Sequence, residues 1–327
     1  MKQNGHRRSP ELPGVLVLSL DFELFWGVRD KRTIAEYGPR LLGARQAVPV
    51  LLDLFDAYGV RATWATVGLL FFSRREDLLR SLPVVRPAYA RPALSAYAGL
   101  DELGPDETAD PFHYAGTLVD AILRHPSQEL GSHTFAHYYC QEPGHSPESF
   151  AADLQAAVAA GLARGVALRS LVFPRNQVNP AYRGLCAEHG FTAWRGCGAG
   201  PAGVHRAGPC IRALRLLDAY CNLSGHGDYA REAIAGPAPR NIRASAFLRP
   251  YSPRLAPLEP LKLRRIRRAM THAARHGRVF HLWWHPHNFG CHLERNVADL
   301  RSLLDHFRTL SRRYGMISQS MGELAGD

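Results

Sequence analysis

The strongest constraint on this chain is a repeated pairing. A short apolar run, ended abruptly by polar residues, is followed by a longer stretch with helical periodicity. The run at 15–20 stops at Asp21, and over about 43–58 the residues Val48, Leu51, Leu52 and Phe55 share one helical face. Further strands are expected at 61–67, leading into Gly131, and at 168–173, 191–195, 279–284 and 316–318, with helices at 114–123, 147–163, 180–188, 260–274 and 293–313. Strands joined by helical crossovers pair in parallel. About seven such units make a single α/β barrel. The expected organisation is a basic N-terminal tail over 1–12 and one barrel domain over 13–327. The stretch 73–110 differs in texture, with Pro83, Pro87, Pro92 and Pro105 among glycines and charges. It reads as an insertion or lid, because long irregular segments in compact domains are usually functional or mobile.

Composition removes several classes. With 46% apolar and 21% charged residues the chain is not disordered. No stretch approaches about 18 uninterrupted apolar residues, so no membrane span is expected. The first apolar run is short and lacks a small-residue cleavage site, which leaves no export signal. The six cysteines form no C-x-x-C pair and are expected as reduced thiols, so the protein is expected in the cytoplasm. An excess of 40 Lys and Arg over 29 Asp and Glu gives a formal charge of +11, which favours anionic partners. The run Lys262-Leu263-Arg264-Arg265-Ile266-Arg267-Arg268 is densest. It is expected as a solvated helix face, with an anion or membrane contact as the alternative. Without an RNP, zinc-finger or helix-turn-helix signature, nucleic acid is not an expected partner.

Chemistry gathers where the strands end, the face on which α/β barrels build their sites. In Ser19-Leu20-Asp21-Phe22-Glu23, continued alternation would put Asp21 and Glu23 on one side, and adjacent carboxylates repel unless a proton or cation joins them. In Gly131-Ser132-His133-Thr134-Phe135-Ala136-His137, two histidines four apart would share one helical face. With one carboxylate they would leave an open position for water on zinc or a similar ion. In the segment 280–290, alternation groups His281 and Trp283 with His285, a histidine at a strand terminus suited to general acid work. In Phe173-Pro174-Arg175-Asn176-Gln177, Arg175 is either a surface charge or the partner that orients Asp21.

The order of these motifs resembles the polysaccharide deacetylase (NodB-homology) family, also called carbohydrate esterase family four, from about Val15 to Ser318. The forms Asp21-Phe22-Glu23 with Phe25-Trp26-Gly27, Phe173-Pro174-Arg175-Asn176 and Trp284-His285-Pro286-His287-Asn288-Phe289 look like a subgroup linked with surface-polysaccharide biosynthesis. The resemblance implies a distorted (β/α)7 barrel holding one divalent metal, zinc first, with cobalt, nickel or manganese as alternatives. It implies Asp21 as catalytic base, Arg175 as its support, His285 as the acid that protonates the leaving amine, and His133 and His137 as metal ligands. Family members commonly carry adjacent aspartates, the second a metal ligand. Phe22 stands in that place here, so the carboxylate ligand is Glu23 or Asp21 itself, Glu23 being the simpler choice. Trp26, Asn176, Trp194 and His287 are candidates for substrate contact. The implied reaction is hydrolysis of an acetamide on an N-acetylated sugar, whether nucleotide-linked, lipid-linked or part of a natural product. A cyclic-amide hydrolase or a non-catalytic carbohydrate-binding protein would be the alternatives on the same fold.

Overall fold

In the computed structural model of the protein, the described residues are 12–197 and 208–326. The basic tail up to residue 11 and most of the glycine-rich stretch 196–209 lie outside them. Nine strands form one wholly parallel sheet: β1 (Val15–Phe22), β2 (Ala62–Thr66), β3 (Glu129–Ser132), β4 (Ser170–Leu171), β5 (Ala193–Trp194), β6 (Arg240–Asn241), β7 (Ala246–Phe247), β8 (Val279–Trp284) and β9 (Ile317–Ser318). Their spatial order is β6-β5-β4-β3-β2-β1-β8-β7, with β9 beside the start of β1. The sheet curls into a barrel whose outer face is covered by α1 (Ile34–Tyr58), α3 (Gly116–Leu123), α4 (Pro147–Leu162), α5 (Arg183–Glu188), α7 (Glu259–Arg275) and α9 (Leu293–Tyr314). Shorter helices are α2 (Arg75–Arg80), α6 (Pro209–Cys221), α8 (Pro286–Phe289) and α10 (Met321–Gly326).

The central strand β1 explains the layering. All eight of its residues are buried, as expected for a parallel strand covered on both faces. Leu16, Leu18, Leu20 and Phe22 join the core between sheet and helices. The inner side changes character along its length: Val15 and Val17 are apolar, Ser19 and Asp21 are not. The lower interior is accordingly filled by Val15, Val17, Val279 and the α10 residues Met321, Leu324 and Ala325. There the Met321 N–H also donates to the Thr63 hydroxyl at 2.8 Å. The upper interior is left to polar groups.

Two local features place the loop after β8. Helix α1 starts with a Thr33–Glu36 capping box and stops at Gly59 in the left-handed region. Its Gly43 lies so close to Gly290 that a Cβ there would fall 2.2 Å from the Gly290 carbonyl oxygen. This contact seats α8, and with it His285 and His287, against α1. The segment 73–110 is docked. Tyr89 Oη accepts the Tyr139 N–H at 2.7 Å, and the Ala88 and Ala90 N–H groups donate to the Gly144 and Pro143 carbonyls at 3.0 Å each. It therefore packs on the loop that follows the histidine pair. Strands expected over 168–173 and 191–195 shorten to two residues each.

Candidate metal centre and catalytic carboxylate

Strand register brings the polar residues together. Phe22, Thr66, Ser132, Leu171 and Trp194 form one row across the sheet, and one residue further on stand Glu23, His133 and Arg195. His285 follows Trp284, which pairs with Leu20, and so reaches the level of Asp21. The inward row at that level is small, with Ala65, Gly131 and Ala193. At the same level the Arg195 guanidinium meets Asp21.

Glu23, His133 and His137 are buried, with one ligand atom each lying within 4.8 Å of the others. His137 Nε2 is 3.1 Å and His133 Nε2 3.3 Å from Glu23 Oε2. His133 Nδ1 lies 2.8 Å from the Val172 carbonyl oxygen, which can only accept, so that nitrogen carries its proton and Nε2 is aimed at the carboxylate. His137 Nδ1 meets the Tyr139 hydroxyl at 3.0 Å. Such outer partners are what fix a ligand imidazole's tautomer and orientation. Burial pushes His137 down to about 4, against the pull of Glu23, so it is uncharged near neutral pH. Burial also works to raise Glu23, but His285 and the close approach of His133 and His137 outweigh it and hold the acid well below the usual carboxylate range. Glu23 Oε2 thus faces the Nε2 atoms of both imidazoles inside the barrel. Two nitrogens and one oxygen in this arrangement fit a single divalent ion of the zinc type. Gly27 contributes by absence: a Cβ there would stand 2.0 Å from Glu23 Cδ.

The two histidines do not lie on a helix, contrary to the expectation from their spacing. The segment 133–137 is irregular, with Thr134 and His137 in the left-handed region at φ 61° and 53°. Asp153 of α4 takes the Phe135 and Ala136 N–H groups at 2.6 and 2.9 Å. The Tyr138 N–H donates to Thr134 Oγ1 at 2.7 Å. A loop tied at these points, rather than a helical turn, turns both imidazoles to Glu23.

Asp21 is held separately. Arg195, wholly buried, donates through Nη1 to Asp21 Oδ1 at 2.6 Å and through Nη2 to Oδ2 at 2.7 Å. Burial tends to raise Asp21, but the guanidinium, helped by His133 and His285, more than offsets it and keeps the acid below its usual range. Arg195 also lies over the Trp283 ring at 4.1 Å and donates to Ser19 Oγ at 3.0 Å. Below it, His281 Nδ1 faces the Ile242 carbonyl at 3.2 Å, so its Nε2 accepts the Ser19 hydroxyl proton at 2.7 Å. Ser19 and His281 thereby orient the arginine. His285 sits at the partly exposed rim, Nε2 3.8 Å from Asp21 Oδ2 and 3.6 Å from Glu23 Oε1. Asn288 Nδ2 donates to His285 Nδ1 at 3.4 Å, which leaves the ring proton on Nε2, facing the carboxylates.

Several expectations need correction. Arg175 does not touch Asp21. It and Asn176 both adopt left-handed backbone, at φ 54° and 53°, and the side chain turns away to pair with the buried Asp30 and to lie over Tyr139 at 4.5 Å. Arg195 takes the role instead. Trp26 is 2% exposed and donates to the His113 carbonyl at 2.9 Å, and Trp194 packs edge-on against Phe173 in the outer core. Neither faces the site, because both belong to outward-facing positions covered by helices or loops. Asn176 does reach it, accepting from Arg195 Nη2 at 3.4 Å. His287 stacks on His285 at 4.9 Å, with Nδ1 3.9 Å from Glu23 Oε1, but is buried at 5% exposure. It backs Glu23. Arg195 stands where the other site residues stand, immediately after an apolar strand, and that position was the signal for it.

No family model matches the sequence, and the comparison with curated proteins returns no relative. Solved structures do match in shape. A protein from Mycobacterium smegmatis, assigned provisionally as a polysaccharide deacetylase, aligns over 97% of this chain and 93% of its own, at 14% identity and TM-score 0.57. The allantoinase PuuE aligns over 95% and 88%, at 12% identity and TM-score 0.53. A 4-alpha-glucanotransferase from Thermococcus litoralis aligns over 97% of this chain and 41% of its own, at 9% identity and TM-score 0.52. The likeness shows the fold, a distorted (β/α)7 barrel of the polysaccharide deacetylase type.

Proposed function

We propose that this protein is a metal-dependent amide hydrolase that removes the acetyl group from an N-acetylated sugar or sugar-containing intermediate. The observation that carries this is the placement of an arginine-held carboxylate, a rim histidine and a Glu-His-His group around one opening of the barrel. Glu23, His133 and His137 would hold the ion, zinc first among zinc, cobalt, nickel and manganese; when bound, such an ion polarises the acyl oxygen and makes water acidic near neutral pH. Asp21 takes the proton of the attacking water, and Arg195 keeps that carboxylate ionised and aimed. As the carbon–nitrogen bond breaks, the proton on His285 Nε2 passes to the departing nitrogen, and the proton that Asp21 took from water returns to His285, whose Nε2 lies 3.8 Å from Asp21 Oδ2. Acetate and a free amine leave. The formal charge of +11 supports a phosphate-bearing substrate, nucleotide- or lipid-linked.

The likeness to an allantoinase supports a second reading, hydrolysis of a cyclic amide by the same residues. A single assay separates the two. Purified protein is incubated with a panel of N-acetylated sugars and nucleotide sugars and with cyclic amides, and acetate and ring-opened product are both measured, before and after chelation. Acetate release that chelation abolishes and zinc restores is the expected result. Ring opening without acetate would move the assignment to the second reading, and neither product from a metal-loaded protein would overturn both.

A further inference from the structure

Away from the metal centre, α7 carries a second concentration of charge. Helical spacing places Arg264, Arg268 and Arg275 along one face, while Ile266, Ala269, Met270 and Ala273 are buried on the opposite one. Two other cations of this helix are matched by acids. Lys262 is buried against Glu259 and 3.4 Å from Asp299, and Arg265 Nη2 lies 2.8 Å from Asp218. Arg264 and Arg268, four residues apart, have no acidic partner among the described residues, and like charges at that spacing repel. The face is also concave. It forms one wall of a solvent-open cleft of about 610 Å3, lined elsewhere by Asn222 beyond α6, by His226 and by His306 of α9.

Four guanidinium groups, four imidazoles and no carboxylate line this space. His226 and His272 stack at 4.5 Å with their planes 25° apart, and Asp228, behind His272 at 2.8 Å, is shared with Arg278. His226 Nδ1 is buried without a hydrogen-bond partner. The imidazoles do not converge as metal ligands: among the described residues the Glu23 group is the one cluster with that geometry. The volume suits a small molecule, and guanidinium forks match phosphate oxygens in pairs. The cavity is also separate from the metal centre, since α7 ends just before β8 begins whereas His285 follows the end of β8.

We propose that this cavity binds a ligand carrying two or more linked phosphates. The test is a calorimetric titration of the full chain with inorganic pyrophosphate at low and high salt, beside sedimentation with vesicles containing phosphatidic acid. The double variant Arg264→Gln/Arg268→Gln alters exposed side chains and leaves the fold intact, and Arg124→Gln/Arg169→Gln, also exposed, gives a charge-matched control outside the cavity. Saturable pyrophosphate binding that weakens with salt, falls about tenfold or more in the double variant and is unchanged in the control is the expected result. Vesicle binding lost in the same variant, with no response to pyrophosphate, would overturn the linked-phosphate ligand in favour of a lipid carrying a single phosphate. Absence of both in the wild type, or binding that the double variant does not weaken, would overturn the proposal.

Discussion

Asp21 and Arg195 are buried together, and the energetics of such a pair are asymmetric. Breaking it by removing one partner strands a charge, at a cost of about 3–5 kcal/mol. Arg195→Ala should therefore lower the melting temperature and reduce kcat/KM by about a hundredfold or more, whereas Arg175→Ala should change kcat/KM far less. Denaturation and steady-state kinetics check both; equal damage from the two variants would show that Arg175 also supports Asp21. The pair has a pH signature with a defined sign. Asp21 is held below its unfolded value, so its contribution to stability is present above that value and is lost as pH falls through the lower folded one. In Arg195→Gln the acid limb of kcat/KM should move to higher pH. A third residue-scale expectation concerns Gly27. Gly27→Ala should displace Glu23 and reduce bound metal while the folded fraction stays near wild type, read by elemental analysis beside circular dichroism.

At the scale of elements, the loop 133–137 depends on Asp153 more than on its own sequence. Asp153→Ala would leave the Phe135 and Ala136 N–H groups unsatisfied, costing about 2–6 kcal/mol for two buried donors, and should weaken metal affinity with no ligand touched. Burial pushes Asp153 up to about 7 against those two hydrogen bonds. From about pH 4, the unfolded value, to about 7 the native carboxyl keeps a proton that the unfolded one has lost. Stability from this site should fall as pH rises across that window, and the slope should flatten in Asp153→Asn, as followed by thermal unfolding. The histidine pair itself was legible from H-x-x-x-H spacing, but its conformation was not. Spacing records that two imidazoles can meet; it does not record that an aspartate 16 residues beyond His137 holds two left-handed turns in place. Arg195 was obscured for a related reason. Its strand is only two residues long, whereas Pro174-Arg175 is the more conspicuous arginine in the sequence and its left-handed backbone turns the side chain away from Asp21.

For the molecule as a whole, the parallel barrel was legible because β1, β8 and the long helices each bury a face wide enough to leave a periodic trace. Helix α9 spans Leu293–Tyr314 against an expected 293–313, and β8 spans Val279–Trp284 as expected. Between 208 and 258 the trace fails. Strands β6 and β7 have two residues each, and α6 has few buried positions, so periodicity has nothing to record. The inner face of β1 ties the scales together, with valines packed on the α10 floor and Ser19 and Asp21 facing the opening. The proposed chemistry at that opening depends on one cation that Glu23, His133 and His137 would hold. The most direct test is metal content per chain by elemental analysis, for the wild type and for His133→Ala/His137→Ala. About one divalent ion per wild-type chain and none in the double variant is the expected result. A wild type that binds no zinc, cobalt, nickel or manganese after supplementation, or a variant that retains its ion, would contradict it.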